Sequence, residues 1–289
     1  MTTTVAPDVA AVRLAGGAWQ DELRAARMVW RREIIRFGRN RLRIVTSLAQ
    51  PVLFLFVLGT GLSTIVRGGP ATSGSNFRTF IFPGIVAMTV LFSAIFSAVS
   101  IVWDREFGFL REMLVAPIRR SSLVLGKCAG GATVATLQAL IILVLSPLVG
   151  IPFSAPLLLI LVGEMVLMAV ALTAVGMVLA ARMQQVESFQ VVMQFVVLPM
   201  FFLSGAMFPL TGLPQWLTVL TRLDPLTYAV DPMRRAVFAH SSSAAHFATL
   251  SPGVSWFGWR LPVGIELGVV LLIGVAALGI AIVQFSRPD

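Results

Sequence analysis

WDREFGFLREMLVAPIRRSSLVLGK, residues 103–127, decides how this chain is read. Asp104, Arg105, Glu106, Arg111, Glu112, Arg119, Arg120 and Lys127 crowd into it, in a chain that is 57% hydrophobic and only 12% charged. The flanking stretches, 80–102 and 123–149, are almost wholly apolar. Roughly 20 apolar residues are enough for a helix to cross a bilayer core. The charged stretch is therefore a connector between two membrane spans. Its charges must meet water or protein, because a charge at mid-bilayer costs at least about 2.5 kcal/mol.

The same pattern repeats outward from this connector. Mean hydropathy is +0.90, which excludes a soluble globular domain. The apolar runs are continuous rather than alternating, so a β-barrel is excluded and helices remain. The expectation is an all-α integral membrane protein with a six-span domain over 44–285. Its spans fall at 44–66, 80–102, 123–149, 156–180, 190–208 and 263–285. The net charge of +9 follows from topology rather than from binding nucleic acid. Sixteen of the 22 Lys and Arg fall in the N-terminal region, in 103–127, and at Arg182 and Arg287. The positive-inside rule places that side, and with it both termini, in the cytoplasm. The single cysteine, Cys128, allows no intrachain disulfide. Residues 1–43 hold no apolar core of the kind a cleaved signal peptide needs.

Residues 1–18 read as a disordered tail. Over 19–43, Trp19, Leu23, Ala26, Trp30, Ile34 and Phe37 share one helical face, and arginines fill the flanks. This is a basic amphipathic helix suited to a headgroup layer, with Trp19, Arg27, Trp30, Arg31 and Phe37 as anchors. The outer segment 209–262 is no seventh span. Arg222, Asp224, Pro225, Asp231 and Pro232 cut its apolar stretch into short amphipathic helices at the outer interface, poised to dip in as a hairpin. Residues 286–289 form a short tail.

Within the connector, Trp103, Phe107, Leu110 and Leu114 recur at helical spacing and share a face. Asp104 and Glu106 read as helix-start acids, and Pro117 ends the helix. Ser121 and Ser122 are placed to cap span 3. A plain connector would be shorter. The pattern suits an amphipathic helix that docks in a groove on a partner.

Glu164, inside span 4, is the one carboxylate placed at membrane depth. Such a group is a functional candidate by default. It reads either as lining a substrate path or as pairing with Gln138 of span 3. Glu266 reads as reaching the outer headgroups. Gln50, Gln190 and Gln194 are placed to hydrogen-bond between helices. Met193, Phe201, Phe202 and Met207 belong to a Met- and Phe-rich span-5 region, which reads as core packing or as an adaptable wall for hydrophobic cargo. His240 and His246 lack neighbouring cysteine or carboxylate ligands, so no metal site is expected. The only Gly-Lys pair, Gly126-Lys127, is followed by Cys128 and opens an apolar helix, so no Walker-type ATP site is present.

Three passages carry a family resemblance: DREFGFLREMLVAPIRRSSLVLGK at 104–127, FVVLPMFFLSGAMFPLTGLPQWL at 195–217 and DPLTYAVDPMRRAVF at 224–238. In order and spacing the chain resembles the permease subunit of type-2 ATP-binding-cassette exporters of the daunorubicin-resistance kind. Where such proteins often carry Asn, this chain has Asp224; both residues favour turn starts. The resemblance implies an elbow helix at 19–41 and an outer re-entrant hairpin within 209–262. It implies a coupling helix within segment 103–120, built from Trp103, Asp104, Arg105, Glu106, Phe107, Gly108, Leu110, Arg111, Glu112, Leu114 and Pro117. It further implies two copies of a cytoplasmic ATPase subunit that hold ATP and Mg, and a second permease copy forming a homodimer. The setting implied is the bacterial cytoplasmic membrane, with its lipids around the chain, and the cargo a small hydrophobic or amphipathic drug or antibiotic. Lipid or glycan-lipid export is the alternative within the class. A proton-coupled secondary transporter is the alternative outside it, and would need a relay of intramembrane carboxylates.

Overall fold

The computed structural model describes residues 19–61, 77–108, 119–210, 212–240, 253–256 and 259–286. Among them, six helices are long and apolar enough to cross a membrane: Ile44–Gly61, Phe77–Glu106, Arg120–Val144, Ala155–Ala180, Val186–Leu203 and Val263–Ser286. The protein is an all-α membrane bundle.

Helix α1 spans Trp19–Arg39, and α2, Arg41–Leu53, opens span 1. Pro51 sits inside α2, where its ring removes one backbone donor. The helix answers with a wide π turn over Phe54–Leu58, a common way to absorb a lost rung of the ladder. Span 2 consists of α3, Phe77–Ser97, and α4, Val99–Glu106, joined at Ala98. Helix α5, Arg120–Val144, is span 3 and ends in a short 3-10 turn at Ser146–Val149. Helices α6, Ala155–Ala180, and α7, Val186–Leu203, are spans 4 and 5. Two short helices follow, α8 at Gln215–Leu223 and α9 at Thr227–Ala239. A two-residue hairpin, β1 Ser255–Trp256 with β2 Trp259–Arg260, precedes span 6, α10 at Val263–Ser286.

Span 2 is the axis of the bundle: 72% of its apolar window is buried, against 17% for span 1 and 22% for span 5. It packs on α5 and α6, and α6 packs on α10. Small residues set these approaches. A Cβ on Gly84 would lie 2.2 Å from the Ala206 carbonyl oxygen, so the turn after span 5 presses directly on span 2. Gly205 makes that turn with φ +72°. Gly126 and Gly130 serve α1 in the same way. A Cβ on Gly126 would meet the Ala26 carbonyl oxygen at 2.6 Å, and one on Gly130 the Glu33 Cβ at 2.7 Å.

Several boundaries differ from the sequence reading. The span-2 helix does not stop at residue 102; it runs to Glu106 and closes on Gly108, whose φ is +78°. The amides of Phe107 and Gly108 bond back to the carbonyls of Trp103 and Arg105, as a left-handed glycine cap requires. Asp104 and Glu106 therefore sit in the last turn of a long helix rather than at the start of a new one. The physical reason is that their side chains find inward partners, so the helix carries on until glycine permits the turn. The segment between spans 5 and 6 breaks into two helices where Asp224 precedes Pro225, its backbone extended as the proline demands. Helix α9 does not skim the interface. It is buried against α3, α6 and α10.

Replacing Gly84 with Ala should lower stability by about 1–3 kcal/mol through overpacking against fixed backbone. Gly163→Ala, whose Cβ would meet nothing within 4 Å among the described residues, is the control and should lose no stability. Thermal unfolding of both variants in detergent checks this.

Candidate functional site

Three consecutive charges end span 2, and each reaches a different element, because successive helical residues point about 100° apart. Asp104 and Lys127 form an ion pair with both side chains almost fully buried. Arg32 Nη2 of α1 donates to Asp104 Oδ2 at 3.0 Å and lies 3.3 Å from Glu33 Oε1. Lys127 Nζ is 3.9 Å from Glu33 and 3.4 Å from the Ser100 carbonyl and hydroxyl oxygens. Arg105 Nη1 donates to the carbonyls of Ala181 at 2.7 Å and Met183 at 3.2 Å. Glu106 Oε2 accepts the Val186 amide at 2.9 Å, at the first residue of α7, where a carboxylate complements the helix dipole. The turn between spans 4 and 5, the end of span 2, the start of span 3 and helix α1 thus share one polar clamp.

The exposed apolar groups stand beside this clamp. Phe107 is 67% and Trp103 42% exposed, and their rings meet edge to face with centroids 6.4 Å apart. Arg36 lies over the Trp103 ring at 5.1 Å. Gly108 turns the chain just beyond them. Leu110, Arg111, Glu112, Leu114 and Pro117 lie outside the described residues. The anchors expected on α1 divide. Trp19, Arg27 and Arg31 are exposed, whereas Trp30 and Phe37 are half-buried against the bundle. Trp30 Nε1 donates to Thr133 Oγ1 on α5 at 3.1 Å.

Next to the clamp lies a cavity of about 520 Å³, lined by α1 to α5 and by Gln190 of α7. The Gln138 amide crosses its wall, donating to Ser47 Oγ at 2.8 Å and accepting from Ser93 Oγ. One hydrogen-bonded rung therefore ties spans 1, 2 and 3 together. This corrects the pairing of Gln138 with Glu164. Glu164 is buried elsewhere, and its Oε2 meets no hydrogen-bond partner among the described residues. Glu164, Met193, Phe201, Phe202 and Met207 do not line this cavity. Met193 and Phe201 are core residues, Met207 is half-buried and Phe202 is exposed. Gln50 and Gln190 do line it. The residues that sequence reasoning missed are Glu33, Lys127 and the hydroxyl row Thr89, Ser93, Ser97 and Ser100. That row's near-helical spacing inside an apolar run was a usable signal.

The opposite end of the bundle has its own clamp. Glu266 does not reach out to headgroups: it is fully buried and accepts from Arg235 Nη2 at 2.9 Å. Arg235 also pairs with Asp231 and donates to the Leu261 carbonyl at 2.8 Å. Arg234, buried, lies over the Phe80 ring at 4.5 Å and donates to the carbonyls of Gly205 and Ala206. Asp224 Oδ1 accepts the Leu226 amide at 3.0 Å, and burial pushes its carboxyl up to about 7.

The architecture is that of a polytopic membrane protein, tied at each end by buried ion pairs. Residues 24–238 match the family described as ABC-2 type transporter, and the chain belongs to that family as a membrane permease. It is 28% identical over 219 residues to the transport permease ycf38 of Cyanophora paradoxa, covering 73% of each chain. It is 31% identical over 215 residues to nodulation protein J of Rhizobium leguminosarum bv. trifolii, covering 73% of this chain and 80% of that one. Nodulation protein J of Rhizobium meliloti is 30% identical over 209 residues.

Two outcomes follow from the clamps. Lys127→Met removes one of the two cations that hold Asp104 and leaves Arg32 in place, and should cost about 1.5–3 kcal/mol. The double variant Lys127→Met/Asp104→Leu should recover part of that loss, read as Tm in detergent. Asp224 has a folded pKa raised from 3.8 to about 7, so its stabilising share is present at low pH and lost as pH rises toward 7. Asp224→Asn keeps the acceptor and should flatten the fall in Tm between about pH 4 and 7.

Proposed function

We propose that this permease is the membrane subunit of an ATP-driven exporter in the bacterial cytoplasmic membrane. It moves a hydrophobic or amphipathic compound outward and is energised by separate ATPase subunits that hold ATP and Mg. Two permease copies pair with two ATPase copies. The end bearing α1 and the clamp faces the cytoplasm, in line with the distribution of Lys and Arg. Drug or antibiotic export and lipid or glycan-lipid export both fall within this reading.

The observation that carries it is the clamp beside Phe107. An exposed aromatic side chain at the very end of span 2 is a place for a partner to grip. The residues just before it, Asp104, Arg105 and Glu106, connect to α1, to span 3 and to the turn before span 5. A push on residues 103–117 would then reach all three at once. A proton-coupled mechanism finds less support, because it needs a relay of intramembrane carboxylates; Asp104 and Glu266 are engaged by cations, which leaves the buried Glu164 as a single group rather than a relay.

Phe107→Asp should abolish export and co-purification of the ATPase subunit while membrane insertion is retained. Co-purification and proteoliposome transport measure this. Unchanged association together with unchanged export would contradict the coupling role.

A further inference from the structure

Resting on the exporter reading, we infer that the 520 Å³ cavity receives the uncharged, hydroxyl-rich head group of an amphipathic cargo and rejects cationic heads. Its volume lies within the range of small-molecule sites, about 300–1,000 Å³. Its walls are unusual for a membrane interior. Thr89, Ser93, Ser97 and Ser100 run down span 2, facing Thr46, Ser47 and Gln50 of span 1 and Gln138 of span 3. All are neutral groups that both donate and accept, the complement of hydroxyls and amides.

The internal bonds use only part of this capacity. Thr89 and Ser97 donate back to the Ile85 and Ala94 carbonyls, which leaves their oxygen lone pairs as acceptors. The Ser47–Gln138–Ser93 rung fixes the wall in place, so these groups are held before a ligand arrives. Phe37, Phe92, Phe96 and Trp103 also border the cavity, and supply apolar surface for the faces of a ring whose rim carries hydroxyls.

Charge on the lining sets the sign of the selectivity. Arg36 and Lys127 line the cavity against the single carboxylate of Glu33, two cations to one anion. Asp104 is held by Lys127 and Arg32, and Glu33 lies close to both as well. A cationic head group finds no carboxylate without displacing one of these partners, and it meets a net positive field.

The test uses two photoactivatable amphipaths with the same alkyl chain and a diazirine next to the head. One carries a β-glucoside head and the other a trimethylammonium head. The full-length permease, without ATPase subunit or ATP, is labelled in phosphatidylcholine nanodiscs, and the labelled peptides are mapped. The glucoside probe should label segments 46–51, 88–100 and 134–138 about fivefold more than the ammonium probe, the ratio given by one net hydrogen bond. Gln50→Leu, on the poorly buried span 1, should remove most of that difference. Equal labelling by the two probes, preference for the ammonium probe, or glucoside labelling spread over the lipid-facing surface would overturn the inference. The wild-type comparison decides the matter even where a variant folds poorly. Because no ATPase is present, failure here leaves the coupling result at Phe107 untouched, and the reverse also holds.

Discussion

The buried ion pair between Asp104 and Lys127 joins span 2 to span 3 and organises the charged end of the bundle. Both groups are withdrawn from water, with relative exposures of 5% and 4%. Neither is tolerable there alone, because an unpaired buried charge costs several kcal/mol. Their union pins the end of span 2 to the start of span 3, on either side of the connector that parts them in sequence. Arg32 and Glu33 then bring α1 into the same cluster. Glycines 126 and 130 make that approach possible, since any side chain there would strike α1. Electrostatics and packing thus select the same arrangement.

The two ends of the molecule follow one plan by different means. At the basic end, a run of three charges on one helix reaches three neighbours. At the other, Arg235 gathers Asp231, Glu266 and the Leu261 carbonyl, and Arg234 caps the carbonyls that close span 5. Between these tied ends the span interiors hold few ionisable groups. There a hydroxyl row and the Gln138 rung supply polarity without net charge. Spans 1 and 5 bury little of their apolar surface inside this chain, whereas span 2 is almost enclosed. The bundle therefore joins a rigid axis to two helices with few internal commitments.

The helical class, the number of spans and their rough positions were legible in the sequence, because runs of about 20 apolar residues have only one use in a bilayer. The break at Asp224-Pro225 was legible for a similarly local reason. What escaped was pairing. Lys127 read as the last charge of the connector, at the base of span 3, yet it is buried in the bundle, held by residues 23 and 94 positions away. Glu266 read as a headgroup contact, yet Arg235 holds it. Glu164, singled out for its depth, lines no part of the cavity, while serines that looked ordinary do. Hydropathy reports depth along the membrane normal, but not which way around a helix a side chain faces. The helix stop at Gly108 was equally hidden, since the Trp103–Leu114 periodicity runs on through it.

On the proposed exporter mechanism, α1, the end of span 2 and the turn before span 5 move as one body when an ATPase partner acts. Pulsed electron paramagnetic resonance tests it, with spin labels at Arg31→Cys and Gln184→Cys in a Cys128→Ala background, in the reconstituted complex with and without ATP. The clamp predicts that this distance keeps one narrow distribution in both states, while a label at Val219→Cys, at the opposite end, shifts relative to Gln184→Cys. A nucleotide-dependent change between residues 31 and 184, with the opposite end fixed, would show that the clamp does not hold these elements together.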